Sequence, residues 1–349
     1  MRVAIIGGGA AGLLAANLLN QKGIDYTVFE RESRVGKKLL ATGNGRCNLS
    51  NINVFPERYH GDREFAAEVI SEFSSDKLED VLKSLGILVR FEGEKMFPYS
   101  LQASSVLDML RLNLKNVKTD CEVIGLIEQK QGFLVKTRDG AEFFDKVIVC
   151  AGGRAAKKLS GGGSYELLTD MGYTLTPLKP SIVQLKAGGT KALEGIKVNA
   201  KISLDDKTEY GELLFTSYGL SGPPILQLSR DAKGKTLMVD TLSEMSFIEA
   251  FETLRERKSI EGLTLENLLT GIINKKLGTQ IIKRAVLMPL SKEVKALKDS
   301  ELKSIVNEAK NLTFEIVDTN GFENAQVTAG GIDTRDFSPK TMMSQKHKG

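Results

Sequence analysis

The sequence predicts an α/β fold, with a Rossmann-type βαβ unit at the N-terminus and β-rich and helical subdomains inserted before the chain returns to its first domain. Three observations carry this prediction. The apolar run Val3–Ile6 passes straight into Gly7-Gly8-Gly9-Ala10-Ala11-Gly12 and then into a stretch with helical apolar spacing. A second short apolar run ends in an acidic residue, Glu30, 18 positions after Gly12 (30 − 12). Near 181–186 the texture shifts to strands and turns, and a strand–glycine pattern reappears only at Ala325–Gly331.

Each element follows from its own signal. Val3–Ile6 is too short and too uniformly apolar for anything but a buried strand. From Ala10 to Lys22 the apolar residues Leu13, Leu14, Ala16, Leu18 and Leu19 mark a helix, and Gly23 stands where a helix stop belongs. Tyr26–Phe29 is the second strand. Residues 62–84 read as two amphipathic helices and 102–114 as another. Cys121–Glu128, Phe133–Thr137 and Ala141–Phe144 read as an antiparallel meander, turned at Asp139-Gly140. Lys146–Cys150 returns as a buried strand. Residues 182–240 are mostly strand and turn, with a helix opening at Ser221. Residues 246–310 are helical and charged, and Thr313–Val317 and Ala325–Thr328 are strands. The expected division is 1–185, an inserted β-rich subdomain at 186–245, a helical subdomain at 246–320, and a return to the first domain at 321–349.

Composition narrows the function. A net charge of +4 on 349 residues is mild, and Trp is absent among few aromatics. Neither feature marks a nucleic-acid binder, which concentrates basic charge and stacks bases on rings. Cys47, Cys121 and Cys150 are odd in number and lack CxxC spacing, so they predict no disulfide framework and no zinc site. A reducing, cytoplasmic setting fits them. No run approaches the roughly 18 apolar residues of a membrane span, and none has the pattern of a signal peptide. His60 and His347 are the only histidines, which argues against a Ser-His-Asp or Cys-His hydrolase and against a histidine metal site.

The glycine pattern has a physical reading. Gly7 permits the tight turn, Gly9 removes a side chain so that a diphosphate can reach the backbone, and Gly12 lets helix and strand pack closely. The helix start offers free N–H groups and about half a positive charge to phosphate. Glu30 can accept hydrogen bonds from an adenosine ribose. The pattern alone leaves FAD and NAD open. The long Gly- and cation-rich loop from Arg31 to Asn51 suits FAD, because it can follow an extended diphosphate toward a second ring system.

That loop, Gly36-Lys37-Lys38-Leu39-Leu40-Ala41-Thr42-Gly43-Asn44-Gly45-Arg46-Cys47-Asn48, resembles the signature of a bacterial flavoprotein family. The family is the HI0933-like, BaiN-like (aminoacetone-oxidase-like) group of NAD(P)/FAD-dependent oxidoreductases. The resemblance continues through Gly93–Pro98, Cys150–Gly153, Leu214–Pro223 and Val327–Ile332. It implies a two-dinucleotide-binding FAD fold and FAD contacts at Gly7, Gly9, Ala11, Gly12, Glu30, Lys38, Thr42, Gly43, Arg46, Cys47, Asn48, Val123, Ala151 and Gly152. Val123 stands for a strand that offers a backbone edge to adenine. Members of the family continue beyond the position of Gly349 into a strand and a Gly-Glu-x-x-Asp turn over the flavin, so the expectation is a first domain cut short.

The remaining candidates divide between chemistry and packing. Arg46 can clamp a phosphate or carboxylate, or can pin its loop. Cys47 beside it can have a lowered thiol pKa, although packing is the stronger reading. Ser221-Gly222-Pro223 reads as a capped helix start. Gly161–Ser164 reads as a flexible turn near the cofactor that opens a helix, without the ending of a phosphate loop. Tyr99 and Tyr218 can donate protons but read better as packing residues, and Lys340–Lys348 reads as a solvated run. No catalytic side chain is assigned. The leading expectation is flavin-mediated hydride transfer to a small organic substrate, with NAD(P)H or oxygen completing the cycle. The alternatives are a flavoprotein with a tRNA-modification or binding role, and an impaired form.

Overall fold

The computed structural model describes residues 1–161, 163–286 and 288–349. They divide into two compact units, Met1–Leu178 with Gly330–Gly349, and Lys179–Ala329.

The first unit opens with β1 (Arg2–Ile6), α1 (Ala10–Gln21) and β2 (Asp25–Phe29). A short helix α2 (Lys37–Ala41) follows, then β3 (Ser50–Asn51), α3 (Arg63–Glu72) and α4 (Ser75–Ser84). Next come β4 (Val89–Glu92), β5 (Lys95–Pro98), α5 (Ala103–Leu112) and β6 (Val117–Lys118). A meander of β7 (Val123–Gln129), β8 (Gly132–Thr137) and β9 (Gly140–Phe144) leads to β10 (Lys146–Val149) and α6 (Glu166–Thr169). The central sheet is parallel, in the order β10-β1-β2-β6. Its middle strand is covered on both faces, which is why Ala4 and Ile5 are fully buried and the strand reads as continuously apolar. Asn17 of α1 is buried, and its amide donates to Leu13 O and to Leu110 O of α5, both at 2.8 Å. The meander packs on the other side through Phe29 and Phe144, whose rings meet edge to face at 5.6 Å.

The second unit begins with β11 (Lys179–Ser181), which pairs with β18 (Val327–Ala329). Between them lie β12 (Leu185–Ala187), β13 (Lys197–Leu204), β14 (Lys207–Thr216), β15 (Gly219–Ser221), α7 (Pro223–Leu228) and β16 (Thr236–Asp240). Then follow α8 (Phe247–Glu256), α9 (Lys275–Ala285), α10 (Asp299–Lys310), β17 (Leu312–Thr319) and α11 (Gly321–Asn324). Six strands close a barrel in the order β12-β15-β14-β13-β16-β17. Alternate residues point inward, as the two-residue period requires. Ile202, Leu213, Phe215, Leu220, Leu237 and Val239 are fully buried, so side chains fill the interior. The inner faces of α8, α9 and α10 join that same core through Leu254, Ile281 and Ile305.

Several sequence expectations need correction. The strand expected at Thr313–Val317 is β17, but it is a barrel strand, and the helices α8–α10 expected as a subdomain at 246–320 share the barrel's core. The units meet the chain at 178/179 and 329/330 because β11 and β18 pair with each other. Ser221 is not a helix cap. It sits in β15 opposite Leu214, and Gly222 caps α7 with φ +108, where a Cβ would stand 2.1 Å from Glu212 O. The helix expected at Gly161–Ser164 starts at Glu166, and Gly162 lies outside the described residues.

The run Lys340–Lys348 is anchored rather than merely solvated. Lys346 pairs with Asp336 at 2.9 Å, and Gly349 O accepts from Val147 N at 3.0 Å. His347 reaches Glu128 at 2.7 Å and Met171 O at 2.8 Å. The Glu128 contact raises the His347 pKa above its ordinary 6.5, and the same contact lowers that of Glu128 below 4.5.

Two outcomes follow. Phe215→Ala should lower the unfolding free energy by about 3–5 kcal/mol in urea titration, while exposed Ile248→Ala should stay within about 0.5 kcal/mol. For His347, the raised pKa means stabilisation is full below about pH 6.5 and fades as pH climbs through the folded-state value. Glu128 withdraws its share as pH falls through its own lowered value. The melting-temperature gap between the wild type and His347→Ala should therefore be widest near pH 5–6 and close toward pH 9; a gap that does not vary with pH rules the pair out as a contributor.

Candidate dinucleotide site

A cleft opens at the carboxyl ends of β1, β2 and β10. This is where open α/β sheets bind ligands. Its floor is Gly7, Gly8 and Gly9, and its walls include Glu30, Lys38, Val123, Ala151 and Gly152.

The glycines earn their places by distance. A Cβ at Gly7 would lie 2.4 Å from Cys150 O, and one at Gly12 would lie 1.9 Å from Gly7 O. These two positions let β1, β10 and α1 converge. A Cβ at Gly9 would meet no atom within 4 Å, so Gly9 leaves space open in front of the helix end. Gly9 is itself the N-cap of α1 and supplies no side-chain cap, and the first turn holds no acidic residue. By contrast, Asp62 caps α3 and Ser74 caps α4. The first N–H groups of α1 therefore lack the side-chain partner that the starts of α3 and α4 have. An anionic diphosphate is the ligand such an end accommodates.

Glu30 is half-buried in the wall. Its Oε2 accepts from Gly8 N at 2.8 Å and its Oε1 from Glu32 N at 2.9 Å. Each carboxylate oxygen keeps a further lone pair, so both can still accept from ribose hydroxyls. Lys38 donates to Gly153 O at 2.7 Å. Burial, followed by the nearby Arg31 charge, lowers its pKa.

Of the residues singled out in the sequence, Gly7, Gly9, Glu30, Lys38, Val123, Ala151 and Gly152 line this one cleft. Gly12 is buried beneath it, and Ala11 is exposed in the first turn of α1. The remaining five stand beyond α2, whose five residues advance the chain by roughly 7.5 Å from the cleft wall. Thr42, Gly43 and Asn48 are exposed there. Thr42 Oγ1 donates to Leu39 O at 2.6 Å. The Asn48 amide, turned to donate, reaches Ser50 O at 3.0 Å. Arg46 pairs with Glu92 and lies 4.5 Å over the Phe97 ring, so its guanidinium ties the loop to β4 and β5. Cys47 is buried at 4% exposure, with φ +59. Burial raises its thiol pKa, against the lowering that a free Arg46 neighbour would cause.

Sequence reasoning missed several lining residues. Cys150 ends the β10 approach, and burial pushes its thiol up to about 11. Ser164, of the turn expected near the cofactor, lines the cleft, while Ser160 beside it carries no local signal. Arg34 lines the cleft, is exposed, and forms no ion pair among the described residues, whereas Lys37 is held by Glu32 at 2.6 Å. Its place between Glu30 and Lys38 was the signal available. Among the described residues no cluster of His, Cys, Asp or Glu is arranged to hold a metal, and no helix is long and apolar enough to cross a membrane.

An uncapped glycine-rich helix start, a ribose-ready acid and a third glycine contact from β10 define a Rossmann-type nucleotide-cofactor protein. The chain belongs to the HI0933-like protein Rossmann domain family, whose model matches residues 1–349. That family is one of FAD-dependent oxidoreductases, and the chain is an enzyme of that class. A 3-dehydro-bile acid delta(4,6)-reductase of Clostridium scindens is 36% identical over 378 residues, spanning 100% of this chain and 90% of that protein. Ribosomal RNA dihydrouridine synthases of Haemophilus influenzae and Escherichia coli are 27% and 25% identical, each over 99% of this chain and 89% and 88% of their own lengths.

The glycine distances separate two variants. Gly12→Ala should lower the unfolding midpoint and abolish FAD retention, because helix and loop must part. Gly9→Ala has an ordinary φ of −82° and an open space. It should leave the apoprotein midpoint within about 0.5 kcal/mol of wild type and still weaken FAD binding in fluorescence titration. Full FAD affinity in Gly9→Ala would show that nothing approaches the backbone there.

Proposed function

We propose that this enzyme saturates a ring carbon–carbon double bond activated by a neighbouring carbonyl, with FAD at the β1–α1 cleft and NAD(P)H as electron donor. The observation that carries the cofactor reading is the α1 start, open at Gly9 and without a side-chain cap, facing a cleft walled by Glu30. The names of the relatives support the reaction type. One is a reductase acting on delta(4,6) unsaturation of a 3-dehydro ring, and the others are synthases of dihydrouridine. Both describe adding hydrogen across a ring double bond.

In this reading, the amide end of α1 and the backbone of Gly7, Gly9, Ala11 and Gly12 receive the diphosphate. Glu30 holds the adenosine ribose, and Val123 lends a backbone edge to adenine. Lys38 and Arg34 supply positive charge at the wall. Thr42, Gly43 and Asn48 follow the rest of the cofactor along the ridge beyond α2, while Arg46 and Cys47 hold that ridge in shape. Ala151 and Gly152 give the backbone contact from the β10 side. When bound, FAD supplies hydride exchange between nicotinamide and substrate. The adjacent carbonyl is required because hydride addition leaves charge that an isolated alkene cannot carry. The absence of a membrane-length helix among the described residues and the lack of a disulfide pattern support a cytoplasmic setting.

The test is anaerobic. Purified protein is loaded with FAD, mixed with NADH or NADPH, and then given cyclic enones, saturated ketones and amines. Expected are bleaching of the flavin absorbance by one nicotinamide donor and reoxidation by an enone only. Failure to take up FAD, reoxidation by saturated ketones with enones inert, or bleaching of the oxidised flavin by an amine without a nicotinamide donor would overturn the assignment.

A further inference from the structure

We propose that β13 offers an open strand edge at Lys197 and Asn199, which takes up an extended stretch of a partner polypeptide carrying an apolar residue next to a basic one. The edge lies wholly within the second unit and stands apart from the flavin chemistry.

The starting point is a strand that loses its neighbour. β13 pairs with β14 over its whole length, from Lys197↔Leu214 to Leu204↔Lys207. On its other side it pairs with β16 only through Ser203↔Met238, Ile202↔Val239 and Lys201↔Asp240. Beyond Asp240 the chain turns away. Leu242 N donates to Asp240 Oδ1 at 2.9 Å, and Thr241 N donates to Ala309 O at 3.0 Å. Lys310 Nζ donates to Leu242 O at 3.0 Å and to Met245 O at 2.6 Å. These bonds tie residues 241–245 to the end of α10 and leave the first residues of β13 without a second partner strand.

The ladder decides which groups are left open. Phe215 N donates to Ile196 O, and Phe215 O accepts from Gly195 N, both at 2.9 Å. Phe215 thus turns both of its backbone groups toward β13. By the two-residue period Leu213 and Gly211 do the same, and they face Val198 and Ala200. The residues between, Lys197 and Asn199, point their N–H and C=O groups the other way, to the side that β16 has left. Both residues are exposed, and no strand or loop backbone among the described residues meets those groups.

The edge opens into a cleft, and the cleft selects the ligand. Met245, Ile272 and Ile273 line it, half-buried against the barrel core, and Glu244 is exposed at its rim. Backbone groups on alternate residues of a strand recur at about 6.8 Å, a spacing that another extended backbone matches by adding itself as a strand. A compact ion would leave the edge unpaired. The side chains that an added strand turns inward meet Met245 and the two isoleucines, so an apolar residue fits there. At the rim, Lys197 is already paired with Glu212 at 2.9 Å, whereas Glu244 forms no ion pair among the described residues. The free charge is negative, and a lysine or arginine beside the apolar residue complements it.

The experiment follows the fluorescence anisotropy of a labelled Lys-Val-Lys-Val-Lys peptide on the FAD-loaded full chain. Its controls are the same peptide N-methylated along its backbone and the acidic peptide Glu-Val-Glu-Val-Glu. Wild type should bind the first peptide at least roughly 10-fold more tightly than either control. Asn199→Pro deletes one outward N–H, so it should weaken the peptide and keep the unfolding midpoint. Ala200→Pro, whose N–H belongs to the β14 ladder, should lower that midpoint steeply. Glu244→Lys should cancel the preference for the basic over the acidic peptide and leave flavin absorbance unchanged. Equal binding of the basic and methylated peptides, binding of none, or an unaltered charge preference in Glu244→Lys would overturn the proposal. So would a midpoint that falls as far in Asn199→Pro as in Ala200→Pro, because the edge would then be used within the fold. A dimer in sedimentation that Asn199→Pro dissolves would also overturn it, by giving the edge to a second copy of this chain.

Discussion

Everything in the first unit depends on one approach, the start of α1 pressed against the end of β1. The chain turns at Gly7, whose missing side chain lets Cys150 O come within what would be 2.4 Å of a Cβ. α1 then leaves so close to that turn that only Gly12 fits behind it. The consequence is electrostatic as much as steric. The cap position itself, Gly9, has open space and no side chain, so the N–H groups of α1 are left for whatever enters the cleft. Packing is set at Gly7 and Gly12, and the opening toward a ligand at Gly9 between them.

The acid in the wall shows how such a site is prepared in advance. Glu30 does not wait in solvent for a ribose. Two backbone amides already hold its oxygens, one from the glycine turn and one from the loop that follows β2. These bonds fix the carboxylate without exhausting it, because an ionised carboxylate offers about four lone-pair directions. Lys38 is fixed in the same way by Gly153 O, and burial makes its charge dearer to keep. An anionic ligand relieves that cost by supplying the counter-charge that Gly153 O cannot.

What the sequence revealed follows the range of the interactions involved. β1, α1, β2 and Glu30 were legible because period, glycine spacing and acid all fall within thirty residues. The meander at 121–144 was legible for the same local reason. Closure of the barrel was not, since it depends on β12 meeting β17 across more than a hundred residues, with no mark in either strand that names its partner. Ser221 misled because the capping rule is local, whereas the turn at Gly222 is set by the close approach of Glu212 O from β14. Lys340–Lys348 misled because polarity alone does not tell a solvated run from one whose Lys346 and His347 are matched by Asp336 and Glu128. The signature loop was read correctly as unusual, yet Arg46 and Cys47 owe their places to Glu92, Phe97 and burial. A motif can identify a family while its most reactive-looking members serve the backbone.

The second unit poses the complementary problem. Its barrel is packed solid with Phe215, Ile202 and their neighbours, so it has no interior to offer a substrate. Selectivity in such a barrel must come from its rim and outer face, where strands end and side chains change direction. Ile182, just ahead of β12, is held at φ +51, a conformation a β-branched side chain avoids, and its carbonyl is fixed by Gln326 N at 3.1 Å.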